Sequence, residues 1–228
     1  MDLYSLILQN KETLKLIYAL IIVVICFLIV LKTNKLFKIS LHNGIRYFRN
    51  AFFFYGLGFT IRYLLWFLFD LDGLPAYSSF ATLLFEFFLV MGGFFLLYSL
   101  IWKKFESYKS PEPRSSLFNP RILILYSFTI ILVIIDFLWG FYHAMFFSQI
   151  MIFILASAIS YANFIEDKGK HKFPKFYFVA MLASLIAWIM NTLADIYLGW
   201  DKIVMINVYV LNMVVFLLFL YGVIKSTR

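Results

Sequence analysis

The segment Leu14–Leu31, LKLIYALIIVVICFLIVL, is apolar apart from Lys15, and it runs directly into Lys32-Thr-Asn-Lys35-Leu-Phe-Lys38. A helix of roughly 20 apolar residues crosses the hydrocarbon core of a bilayer. The segment therefore reads as a membrane span closed by a basic cluster. Its leader carries Asp2, Lys11, Glu12 and Lys15. That leaves no net positive start, and no small-x-small cleavage site follows, so the span is not a removable signal peptide. Cys26 is the one cysteine of the chain. A lone cysteine excludes a disulfide framework and a cysteine-based zinc site, and in this context it reads as a buried small hydrophobe.

The same alternation continues along the chain. Apolar segments follow at about Phe48–Phe69, Ser79–Ile101, Ile122–Trp139, Phe141–Asn163, Phe176–Gly199 and Ile203–Ile224. The fourth and fifth form one stretch too long for a single span, and a tight hairpin at Gly140 divides it. The whole chain has 228 residues, of which 64% are hydrophobic and 14% charged. A soluble domain is about half apolar and a quarter charged. A soluble globular, disordered or fibrous protein is thereby excluded. The reading is an all-α integral membrane protein, a single domain over residues 1–228 made of seven transmembrane helices, with no soluble domain.

The basic residues fix an expected orientation. One set of alternate connections and their edges carries Lys32, Lys35, Lys38, Arg46 and Arg49, then Lys103, Lys104, Lys109, Arg114 and Arg121, then Lys168, Lys170, Lys172 and Lys175, and finally Lys225 and Arg228. The other side carries Lys11, Lys15 and Lys202. The positive-inside rule places the N-terminus outside and the C-terminus in the cytoplasm, with the plasma membrane as the expected location. The net charge of +8 then belongs to the cytoplasmic face. There it attracts anionic lipid headgroups, and nucleic acid is not an expected partner. The one long connection, about Trp102–Arg121, contains Ser110-Pro-Glu-Pro-Arg-Ser-Ser, an extended polar linker. Asp70-Leu-Asp72-Gly73-Leu-Pro-Ala reads as an external turn. Of the 29 Phe and 15 Tyr, most are accounted for as interfacial anchors, in the manner of Trp66, Tyr77, Trp102, Trp139, Tyr142 and Trp200.

The informative residues are those costly to bury. A charged side chain near the bilayer centre costs roughly 2.5–3.5 kcal/mol on insertion scales and usually faces a bundle interior. Arg62, Glu86, Asp136, His143, Asp195 and Asn207 all fall in the outer half of their spans, and the inner half reads as sealed. Polar and small residues share helix faces: Tyr55, Gly58 and Arg62; Glu86 and Gly93; Tyr126, Thr129, Val133 and Asp136; Ser184, Trp188, Asn191 and Asp195; Tyr209 and Asn212. Such faces turn toward other helices. The expected ligand site is an outward-facing polar pocket of Arg62, Glu86, Asp136, His143, Trp188, Asn191, Asp195 and Asn207, with Arg62 paired to Glu86. Three acids against one arginine favour a cation, an amine or protons.

No complete chemical constellation accompanies this pocket. His143 is the single intramembrane histidine, which is too few for a histidine-based metal hydrolase. The seventh segment has no lysine for a retinal Schiff base. No nucleophile–base pair is complete, and no cofactor is implied. The expected function is non-enzymatic and receptor-like, with a small solute, ion or partner bound from outside and a partner protein on the basic loops carrying the signal. A small transporter is the alternative, and an intramembrane lipid-modifying enzyme the third reading. The orientation is directly testable. A reporter fused after Arg228 is expected in the cytoplasm and an epitope placed between Asp70 and Tyr77 outside; the reverse labelling would invert the topology.

Overall fold

In a bilayer every backbone N–H and C=O must be satisfied within the protein, which leaves helices and closed barrels as spanning elements. The computed structural model describes residues 11–40, 42–65, 75–105, 117, 119–140, 143–166, 172–198 and 202–226. Among them are seven α-helices and no strand. They are α1 (Lys11–Ser40), α2 (Asn43–Phe59), α3 (Pro75–Phe105), α4 (Pro120–Trp139), α5 (His143–Glu166), α6 (Lys172–Ile196) and α7 (Lys202–Ser226). All except α2 are long and apolar enough to cross a membrane. The chain is an all-α, multi-pass membrane bundle.

The exception is instructive. Helix α2 carries Arg46, Arg49 and Asn50, and it continues as a π-helical stretch, Thr60–Leu65. Together the two pieces rise roughly 33 Å at 1.5 Å per residue, enough to traverse the core. The least apolar helix is also among the most enclosed. Gly44, Tyr47, Phe48, Asn50, Ala51, Phe52, Phe54, Tyr55, Gly58 and Phe59 are all buried.

Six helices close a ring in the order α1, α2, α3, α5, α6, α7, with α7 returning to α1. Helix α4 lies outside the ring against α3 and α5. Its sequence explains that position. Only Ile122, Thr129 and Asp136 are buried, one residue every seventh position, which makes a narrow seam rather than a broad face. Tyr126 and Val133, expected on the same buried face, are half-buried. The Thr129 hydroxyl lies 3.2 Å from the Met91 sulfur of α3.

Two sequence features build the α4–α5 hairpin. Asn119 caps α4 by accepting from the Arg121 amide, with Pro120 at the first helical position. Gly140 ends α4 in the left-handed region at φ 70°, where a side chain would cost energy. The turn expected at Gly140 is thus present. Asp136 then accepts from the backbone amides of Ala144 at 2.8 Å and Met145 at 2.7 Å. Its carboxylate caps the N-terminus of α5.

Several expectations shift. Helix α1 runs to Ser40, so Lys32, Lys35 and Lys38 sit on its final turns instead of a loop. Pro75 and Ala76 begin α3 rather than completing a turn. Much of the aromatic load is internal: Tyr47, Phe52, Phe95 and Phe153 are among the largest fully buried side chains. Trp66, Tyr142, Trp200, Asp70–Gly73 and the polar linker at 110–116 lie outside the described residues. A capping role for Asp136 predicts that Asp136→Ala lowers stability in detergent by about 1–2 kcal/mol, with Asp136→Asn losing less. Unchanged melting of both variants would remove the cap from the account.

Candidate functional site

The six-helix ring encloses a cavity of about 170 Å³. One water needs roughly 10–15 Å³ by this measure, so the space suits a small molecule. Every ring helix contributes to its wall and α4 does not. Along α6 the lining runs from Ser184 through Ala187, Trp188 and Asn191 to Asp195, a depth of roughly 16 Å. The polar stripe read on α6 is therefore one wall of the cavity.

Arg62 arrives from the π-helical stretch of α2. Such stretches interrupt α-helices and frequently sit at functional sites. Here the wider turn places Arg62 and Tyr63 on the lining together with Tyr55 and Phe59. Gly58, expected on the same face, packs against α3 instead, where an added Cβ would meet Phe88 at 3.3 Å. The Arg62 guanidinium stands 4.5 Å from the centre of the Phe85 ring and 5.7 Å from that of Tyr63. A cation over an aromatic face gains about 0.5–2 kcal/mol.

The amides of Asn191 and Asn212 bond each other reciprocally, at 3.2 Å and 3.3 Å. This joins α6 to α7 within the lining. Tyr18 of α1 stacks on Tyr209 of α7, with centroids 4.2 Å apart and planes at 3°. Both rings belong to the wall, so the stack closes the ring where first and last helices meet. Tyr55 is 4% exposed, and its hydroxyl has no hydrogen-bond partner. Its ring lies over Gly92, where an added Cβ would come within 3.0 Å of three ring atoms.

Four of the eight residues selected from the sequence line this cavity: Arg62, Trp188, Asn191 and Asp195. The other four lie elsewhere. Glu86 is 2% exposed on α3, within electrostatic reach of Arg62 and Asp136, and its Oε2 has no hydrogen-bond partner. Asp136 is occupied at the start of α5, with His143 in its field. His143 is half-buried and off the lining, and Asn207 is exposed. Among the described residues no three His, Cys, Asp or Glu side chains gather as a metal-binding group.

The sequence reading missed Tyr18, Tyr63 and the phenylalanine wall of Phe52, Phe59, Phe85, Phe216 and Phe219. A signal for α1 existed. Tyr18, Cys26 and Thr33 recur at intervals of about two turns, and all three are buried.

No family model matches this chain, and no solved structure matches it. It is similar to an uncharacterized protein of Archaeoglobus fulgidus, at 24% identity over 92% of this chain and 91% of that protein. The reciprocal amide pair yields a prediction. Asn191→Leu or Asn212→Leu alone removes both bonds and leaves the other amide without that partner, at a cost of about 1–3 kcal/mol. The double variant should regain part of that loss in detergent unfolding, whereas strictly additive losses would show the two amides to be independent.

Proposed function

We propose that this protein is a non-enzymatic membrane protein that binds a small zwitterionic solute in the ring cavity. The carrying observation is that Arg62 and Asp195 line one cavity whose remaining wall is largely aromatic. In such surroundings charge interactions are stronger than in water and an unmatched charge is costly. A ligand with one positive and one negative pole meets both residues without importing net charge. Aromatic faces such as Trp188 and Tyr209 favour the cationic pole, and the amides of Asn191 and Asn212 supply directional bonds.

The acid count changes the ligand preference. With Glu86 and Asp136 off the lining, the excess of acids that favoured a pure cation is gone. The site is read as facing outward in the plasma membrane, with the basic helix ends in the cytoplasm; the distribution of Lys and Arg supports that orientation. A receptor-like unit would pass its signal to a partner protein, and a small transporter would pass the solute itself. A second cavity at the basic end of the same ring favours the transporter.

The test uses purified protein and three probes: glycine betaine, choline and acetate. Glycine betaine carries both poles, and the others carry one each. Titration followed by Trp fluorescence and calorimetry should show glycine betaine binding at least about tenfold more tightly than either. Arg62→Gln and Asp195→Asn should each weaken it by about 10- to 100-fold, as expected for a charged hydrogen bond worth roughly 1.5–3 kcal/mol. Equal or tighter binding of choline, or indifference to both substitutions, would overturn the zwitterion reading.

A further inference from the structure

The inner half of the bundle, expected to be sealed, contains a second cavity of about 300 Å³. All six ring helices that wall the first cavity also wall this one. The boundary can be read along the helices. On α2 it falls between Phe52, which lines the first cavity, and Phe48, which lines the second. On α7 it falls between Phe219 and Val223, and on α3 between Leu96 and Ser99. On these three helices the step is three or four residues, and on α5 and α6 it is seven, Phe153 to Ser160 and Ser184 to Tyr177, so the partition is roughly 5–10 Å thick.

Four rings make that partition. Phe48 lies 4.9 Å from Phe52, 6.1 Å from Phe219 and 5.6 Å from Tyr177, measured between centroids. Phe52 and Phe219 are 5.1 Å apart, and Tyr177 and Phe219 6.4 Å. Three of the rings are held by packing alone, which a change of rotamer can undo. The fourth has a latch: the Tyr177 and Ser99 hydroxyls share a hydrogen bond of 2.9 Å. Beyond the partition the wall is mostly apolar, with Thr33, Ser99 and Ser160 as its hydroxyl-bearing aliphatic residues. Ser160 is 2% exposed and lines the second cavity, and its hydroxyl has no hydrogen-bond partner. On the near side the Tyr55 hydroxyl has the same character. Each chamber thus has one lining residue whose buried hydroxyl is unsatisfied.

We propose that the two cavities are halves of one transport pathway along the ring axis, gated by Phe48, Phe52, Tyr177 and Phe219. The solute class is the small zwitterion assigned to the Arg62 cavity, so this proposal rests on that reading. Opening requires the aromatic rings to turn aside and the Tyr177–Ser99 latch to break. Arg62 and Asp195 bind at one end, and the second chamber carries the solute to the basic end.

The experiment joins accessibility to flux. In protein carrying Cys26→Ala, Ser184→Cys marks the first cavity and Ser160→Cys the second; both positions already hold a small buried hydroxyl. A membrane-impermeant cationic methanethiosulfonate, applied to oriented vesicles, should label Ser184→Cys from the face of the α1 N-terminus and Ser160→Cys from the opposite face. Proteoliposomes should take up radiolabelled glycine betaine faster than protein-free vesicles. The double variant Phe52→Ala/Phe219→Ala, which removes two gate rings, should raise its downhill flux by about tenfold or more. Labelling of both cysteines from one face, or no gain in flux from the double variant, would overturn the pathway. If glycine betaine binds while flux stays at the vesicle background, the pathway fails and the binding site stands. If the opened variant conducts glycine betaine but the wild type does not bind it, the pathway stands and the zwitterion site fails.

Discussion

The bundle depends on the aromatic face of α2. Helices in lipid gain little from hiding apolar surface from one another, so van der Waals fit has to hold them together. Phe48, Phe52, Phe54, Tyr55 and Phe59 supply that fit. They pack on Tyr18 of α1, on Phe85, Phe88 and Phe95 of α3, and on Phe216 and Phe219 of α7. Edge-to-face and offset pairs of this kind add about 0.5–1.5 kcal/mol each beyond the area they bury. Glycines set the distances. At Gly44 an added Cβ would fall 2.6 Å from the Trp102 indole nitrogen, and at Gly93 2.7 Å from Gln149 Oε1. Without these gaps α3 could not approach α2 and α5 so closely.

The placement of the charges follows from this framework. Arg46 and Arg49 stand 5.9 Å from the Phe37 ring centre, and Arg49 donates to Asn34 at 2.7 Å. These contacts fix the tight α1–α2 corner, so two of the basic residues are part of the packing between these helices. Asp136 has a structural task at the head of α5. Arg62 and Asp195 sit on the cavity wall. Glu86 is the costly member. A buried polar atom without a hydrogen bond costs about 1–3 kcal/mol, and its position near Arg62 offsets part of that through charge attraction.

The two cavities give this arrangement its functional interest. A ring of six helices around an axis leaves space wherever facing side chains are small or polar, and it closes where large rings meet. Ser184, Ala187 and Asn191 open one chamber. Ser160 and Gly44 help to open the other. Between them lie the aromatic rings of Phe48, Phe52, Tyr177 and Phe219, where the cavities approach within about one helical turn along α2, α3 and α7 and two along α5 and α6. A partition of that thickness can be moved by side-chain rotation without dismantling the helices, and the transport proposal depends on this property.

The sequence by itself determined the class of the protein, the number of helices, the hairpin at Gly140 and the polar stripe on α6. Apolar length and the cost of exposing backbone in lipid leave few other solutions, and a spacing of three or four residues defines a helix face wherever the helix is placed. The tertiary structure alone decided which faces meet. Asp136 and Asp195 look alike along the chain, yet one caps the neighbouring helix and the other lines a cavity, because α4 lies outside the ring and α6 within it. Arg62 lines the cavity and Glu86 does not, because the π-helical turn carries Arg62 toward the cavity. The chamber at the basic end was illegible for a different reason. Its wall combines small residues such as Thr33, Gly44, Ser99 and Ser160 with apolar ones such as Leu36, Ile45 and Val223, and residues of that kind reveal a cavity only when packing brings them around one space.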